Sequence, residues 1–191
     1  MIDFDKIWVE KYRPTTLDDI ILDERTLKQV KEFKEEIPNL LFVGNPGTGK
    51  TTLARIIVND VLGCNYLYIN ASDESGIDTI RHSITNFAQT KSFDGKVKVV
   101  ILDEADGLTT QAQSALRNTM ETYAKYCRFI LTANYKHKII PALQSRCQAL
   151  DIKPVVERAV KRCYNILKNE NITVPEEQKK KFIQLVKRHF P

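Results

Sequence analysis

The chain has 191 residues, 42% of them hydrophobic and 28% charged, which is enough for one substantial core and at most a small second unit. No apolar run approaches the roughly 20 residues that span a bilayer, and the start, with Asp3, Asp5 and Lys6, has no signal-peptide architecture, so no membrane partner and a cytosol-like compartment are expected. The net charge of +5 permits a nucleic-acid partner without requiring one, and the widely spaced Cys64, Cys127, Cys147 and Cys163 suggest neither a zinc site nor a disulfide framework.

Residues 7–14 read Ile-Trp-Val-Glu-Lys-Tyr-Arg-Pro, neither a clean strand nor a clean helix, and are expected to form an ordered lead-in with Trp8 and Tyr12 at a core edge. From Glu24 to Glu36, Leu27, Val30 and Phe33 recur at helical spacing, and Pro38 closes that outer helix. The apolar run Leu40 to Val43 then leads directly into Gly44, Asn45, Pro46, Gly47, Thr48, Gly49, Lys50, Thr51 and Thr52. A glycine, four residues, then Gly-Lys-Thr is the phosphate-binding loop pattern, here with a buried strand before it and a helical pattern after it. Gly44, Gly47 and Gly49 lack a Cβ, so the backbone can curl its N–H groups around a polyphosphate. The helix starting at about Lys50 adds unpaired donors and a positive dipole. Lys50 is expected to reach the β- and γ-phosphates, and the Thr51 hydroxyl to ligate Mg²⁺. The bland alternative is a glycine-rich turn before an amphipathic helix.

Leu53, Ile56, Ile57, Val61 and Leu62 form one helical face ending near Gly63, and Tyr66 to Ile69 is short and β-rich. Ile77, Ile80, Ile84, Phe87 and Ala88 give a second helical face, followed by a turn over Ser92 to Lys96. Val97 to Leu102 reads as a strand covered on both faces, and it ends in Asp103 and Glu104. In a nucleotide site Asp103 would hold Mg²⁺ through water and Glu104 would orient and deprotonate the attacking water; the alternative is that the pair caps the helix beginning near Thr109. That helix runs from Thr110 to Tyr123, with Ala112, Leu116, Met120 and Tyr123 inward. Phe129 to Leu131 is a further strand, followed by Asn134, which reads equally as a turn residue or as a group that positions the hydrolytic water.

A last short strand covers Ala149 to Ile152, and Pro154 breaks the chain. Five strands near residues 40, 66, 97, 128 and 149, each separated by a helical segment, define an α/β fold with a mostly parallel sheet between helices and ligands at the strands' carboxyl ends. Beyond Pro154, Val155 to Leu167 and Pro175 to His189 read as two helices that begin a separate small lid. Lys179 to Lys181 reads as a solvated helix face, and His82, His137 and His189 form no ligand spacing.

These residues closely resemble the small ATP-hydrolysing subunits of the sliding-clamp loader, as in replication factor C and its T4-like phage counterparts, of the AAA+ class. The matching stretches are Trp8 to Pro14, Gly44 to Thr52, Asn70 to Arg81, Leu102 to Asp106, Ala112 to Glu121 and Ser145-Arg146-Cys147. The resemblance implies an AAA+ domain over residues 1–153 and part of a helical lid over 154–191, with ATP and Mg²⁺ as ligands. It also implies that Val9, Tyr12, Arg13 and Ile21 line the adenine pocket, Asn134 is a first sensor, and Arg146 is an arginine finger reaching a neighbouring subunit's site. Gln113 resembles the residue coupling DNA contact to the catalytic site. Arg81 is either a DNA-backbone contact or a surface ion-pair partner. Implied partners are other loader subunits, the sliding clamp and primer-template DNA. The family continues into a second sensor arginine and a collar, whereas this chain stops at Phe190-Pro191, so it reads as a truncated subunit. Two other readings are a helicase, prompted by Asp103-Glu104-Ala105-Asp106 but lacking room for a second RecA-like domain, and a scaffold that binds ATP or partner subunits without turnover.

Overall fold

The computed structural model describes residues 7–34, 36–72, 77–90 and 95–190, with only the backbone of 77–80. Its helices are α1 (Trp8–Lys11), α2 (Glu24–Glu32), α3 (Lys50–Ile56), α4 (Ile77–Gln89), α5 (Thr110–Thr122), α6 (Pro141–Gln144), α7 (Val156–Asn169) and α8 (Lys179–His189). The strands are β1 (Leu40–Val43), β2 (Tyr66–Asn70), β3 (Lys98–Asp103), β4 (Cys127–Ala133) and β5 (Gln148–Asp151). The lead-in expected to be neither helix nor strand makes a single turn at α1. The expected turn at 92–96 and the helical face at Ile77 and Ile80 fall wholly or partly outside the described residues.

Among the described residues the strands form one sheet in the order β2-β3-β4-β1-β5, with every pairing parallel. The central runs are buried on both faces, as the aliphatic pattern requires, and all six residues of β3 are buried. Alternate side chains divide between two cores. Leu40, Phe42, Val99, Ile101 and Ile130 pack with Leu53, Ile56 and Ile57 of the α3 segment. Leu41, Val100, Leu102, Phe129 and Leu131 pack with Ile84 of α4 and with Leu116 and Met120 of α5. Each fully buried aliphatic of this kind contributes about 1.5–3 kcal/mol relative to exposure.

The helix ends follow local chemistry. Asp23 caps α2 by accepting from the Thr26 backbone N–H at 2.9 Å, and Thr109 caps α5 by accepting from Ala112 N–H at 3.2 Å. The acids Asp103 and Glu104 are therefore not the cap of α5. After Ile56 the chain widens into π-helical turns over Ile57–Val61 and stops at Gly63, whose φ of +53° suits a residue without Cβ. Buried Lys98 donates from Nζ to the Phe87 and Thr90 carbonyls, so its charge sits on the carboxyl end of α4.

The connection from β1 crosses to β2 at one edge, whereas the connection from β4 crosses to β5 beyond β1. The two connections leave adjacent strands β1 and β4 in opposite directions on opposite faces of the sheet, which opens a crevice at their carboxyl ends where ligands bind in sheets of this type. After β5, α7 and α8 pack together through Tyr164 and Phe182, ring centroids 4.7 Å apart. Arg162 of α7 donates to Asp19 at 2.8 Å and to the Tyr12 carbonyl at 3.1 Å, while Lys11 and Tyr12 meet Glu170 at 2.7 and 2.6 Å. No helix among the described residues is long and apolar enough to cross a membrane.

Candidate nucleotide site

The loop after β1 is shaped by its glycines. Gly47 and Gly49 have φ of 80° and 90°, in the left-handed region where a Cβ is strained. Gly44 is required for space: a Cβ there would stand 2.7 Å from the Ile152 carbonyl oxygen and 3.0 Å from Thr48 Oγ1. The Ile152 backbone is itself tied to β1 by its N–H to the Val43 carbonyl, so it cannot easily retreat. Gly44→Ala is expected to destabilise the chain by about 1–3 kcal/mol, read as a lowered calorimetric melting temperature; an unchanged melt would show that the loop yields freely.

With Gly49 as its N-cap, α3 begins at Lys50. Lys50 is only 8% exposed, and its Nζ donates to the carbonyls of Gly44 and Asn45, both at 2.9 Å, and to Asn134 Oδ1 at 2.8 Å. Burial pulls its pKa below the usual lysine value, countered by the charges of Asp103, Asp106 and Glu104. One residue on, Thr51 Oγ1 donates to Asp103 at 2.8 and 2.9 Å from the two carboxylate oxygens. Asp103, 7% exposed at the end of β3, also accepts from Thr132 Oγ1 at 2.6 Å and Tyr68 Oη at 2.8 Å. Burial, then the bond to Asp103, raises the Tyr68 pKa, so the phenol stays a donor.

Glu104 sits at φ +55° with an exposed side chain, and its N–H donates to Thr132 Oγ1 at 3.0 Å. The left-handed residue turns the chain sharply after the buried aspartate, separating two adjacent acids into one buried and one accessible group. Asp106 accepts from the backbone N–H groups of Asn134 and Tyr135 at 3.2 and 3.1 Å, which fixes the end of β4.

Phosphate-loop, acid and sensor candidates thus meet on one sheet rim: Lys50 bonds Gly44 and Asn134, its neighbour Thr51 bonds Asp103, and Glu104 adjoins. Thr48 is buried and donates to the Asn45 carbonyl at 2.9 Å, Thr52 is half-buried, and Pro46 is exposed. The residues that the resemblance assigned to the base are less gathered. Val9 is 75% exposed, Arg13 pairs with Glu10 at 2.6 Å, Tyr12 bonds Glu170, and Ile21 is half-buried beside the buried Ile20.

Gln113 does not face solvent. It is 2% exposed, donating to the carbonyls of Leu108 and Lys138 at 3.1 and 2.9 Å and accepting from the Ile140 N–H at 2.8 Å. Arg146 forms an ion pair with Glu121 of the same chain and donates to the Ala142 carbonyl at 2.7 Å. Arg81 is exposed on α4, and residues 73–76 of the Asn70-to-Arg81 stretch lie outside the described residues. Sequence reasoning gave no role to Tyr68, Thr132, Asp106 or Glu121. Tyr68 and Thr132 could have been found as hydroxyl-bearing residues near the carboxyl ends of the strands that flank the one ending in the acid pair.

A family model described as "ATPase family associated with various cellular activities (AAA)" matches residues 40–154. The chain belongs to this family, and the P-loop fold, the five-stranded parallel sheet and nucleotide binding go with it. More particularly, it is 47% identical over 180 residues to the replication factor C small subunit of Archaeoglobus fulgidus, covering 90% of this chain and 56% of that protein. It is 42% identical over 186 residues to replication factor C subunit 3 of Saccharomyces cerevisiae, covering 93% and 55%. The chain therefore spans little more than half the length of these relatives. Among solved structures, the Thermotoga maritima RuvB Holliday junction branch migration motor superposes with a TM-score of 0.68 at 19% identity, covering 93% of this chain and 64% of that one. That likeness concerns the fold.

Proposed function

We propose that the chain is the nucleotide-binding part of a clamp-loader small subunit, with an AAA+ module over residues 1–153 and the start of a helical lid over 154–191. The observation that supports this best is the junction of Lys50, Thr51, Asp103 and Asn134 at the carboxyl rim of a parallel sheet. ATP would lie along the loop, with Lys50 turning from the Gly44 and Asn45 carbonyls to the β- and γ-phosphates. The donor set fits Mg²⁺: the Thr51 hydroxyl and Asp103 carboxylate are hard oxygen ligands already in contact. Among the described residues no cluster of three or more His, Cys, Asp or Glu could hold a metal by itself, as befits an ion that arrives with phosphates. When bound, Mg²⁺ neutralises charge on the transferring phosphoryl group.

Glu104, exposed beside the buried Asp103, orients and deprotonates water, and Asn134 holds Lys50 or the γ-phosphate. Val9, Tyr12, Arg13 and Ile21 form the adenine side. Arg146 leaves Glu121 and enters the neighbouring subunit's site. Arg81 faces the DNA backbone, and Gln113 couples that contact to the catalytic side through its bonds to the Lys138–Ile140 segment that follows β4. Partners are other loader subunits, a sliding clamp and primer-template DNA.

The test is ATP turnover by the chain assembled with wild-type loader subunits and primed DNA. Arg146→Ala should leave its own site's ATP affinity intact and slow hydrolysis in the adjacent site by about 10³-fold. A defect confined to the mutated subunit's own site would overturn the assignment.

A further inference from the structure

Tyr68 on β2 pairs with Ile101 of β3, two positions before the Asn70–Asp103 pair. By strand alternation its side chain shares a sheet face with Asp103, and an aromatic residue can span that diagonal. Its ring lies partly buried against the α3-side core, and Arg55 of α3 stacks over it at 4.6 Å from the centroid. Thr51 and Arg55 are four residues apart on α3 and so share one helix face. That helix therefore touches the acid from above through Thr51 and clamps the tyrosine beside it through Arg55. A phenylalanine would make the same apolar contacts. Only the hydroxyl reaches Asp103.

On Oδ1, Asp103 accepts from Thr51 and Thr132; on Oδ2 it accepts from Thr51 and Tyr68. A threonine hydroxyl has a single proton, so Thr51 shares it between the two carboxylate oxygens and cannot hold both fully. Thr132 and Tyr68 each donate to one oxygen, gripping opposite sides of the carboxylate from the two strands flanking β3. We infer that Tyr68 is a positioning residue for the metal-holding acid: its hydroxyl fixes the orientation of the Asp103 carboxylate, so that the group meets Mg²⁺·nucleotide without first reorganising. The inference rests on the nucleotide reading above.

The test is Mn²⁺ binding, followed by electron paramagnetic resonance in the presence of a non-hydrolysable ATP analogue, together with affinity for the same analogue in EDTA. Tyr68→Phe is expected to weaken Mn²⁺ uptake roughly tenfold, the scale of losing a partner of a metal ligand, while metal-free nucleotide affinity stays at the wild-type value. Equal Mn²⁺ affinity in the two proteins would overturn the role, as would a parallel loss of metal-free affinity, which packing alone would give. If the unsubstituted chain takes up no Mn²⁺ with nucleotide, the functional reading itself falls, and this inference with it.

Discussion

Lys50→Ala is expected to remove ATP binding, with affinity down by roughly 100-fold or more, because a charge-assisted contact to phosphate is deleted from a site built to enclose it. The geometry explains the size of the effect. Lys50 is 8% exposed, and its ammonium is surrounded by the Gly44, Asn45 and Asn134 oxygens, 2.8–2.9 Å away. Those oxygens would repel a triphosphate if the cation were absent, so the substitution turns an attractive pocket into a mildly repulsive one. Isothermal titration with ATP measures this directly, and undiminished affinity would show that the loop is a structural turn.

Glu104→Gln should do the opposite: ATP binds as in the wild type, and hydrolysis in the assembled complex falls by about 10²–10⁴-fold, the usual worth of a general base. The amide keeps the size of the side chain. The left-handed backbone at residue 104 and its N–H bond to Thr132 do not depend on the carboxylate, so the fold should be unaffected. Single-turnover hydrolysis beside an equilibrium titration separates the two quantities. Normal turnover would place the base elsewhere.

Strand positions were legible in the sequence because Leu40–Val43, Lys98–Asp103 and Cys127–Ala133 are buried on both faces and carry almost continuous apolar runs. The phosphate loop was legible because Gly47 and Gly49 take positive φ, a property of the local chain, whereas the close approach of Ile152 that requires Gly44 is not local. What stayed hidden depends on contacts distant in sequence. The sheet order β2-β3-β4-β1-β5 brings Tyr68, Asp103 and Thr132 together from three strands, and no local pattern encodes that meeting. The burial of Gln113 and its three backbone partners, up to 27 positions away, are likewise absent from any local pattern. Glu121 as the partner of Arg146 is equally invisible until α5 and α6 are side by side. The π-helical widening at Ile57–Val61 has no composition signature, since its residues suit an ordinary helix equally well.

The attachment of α7 to the amino-terminal lead-in has a mechanical consequence. Glu170 holds Lys11 and Tyr12, and Arg162 holds Asp19 and the Tyr12 main chain, so the trailing helices cannot tilt without dragging the opening residues. The tether makes the placement of the lead-in and the inclination of α7 reciprocal quantities, each biasing the other by the same free energy.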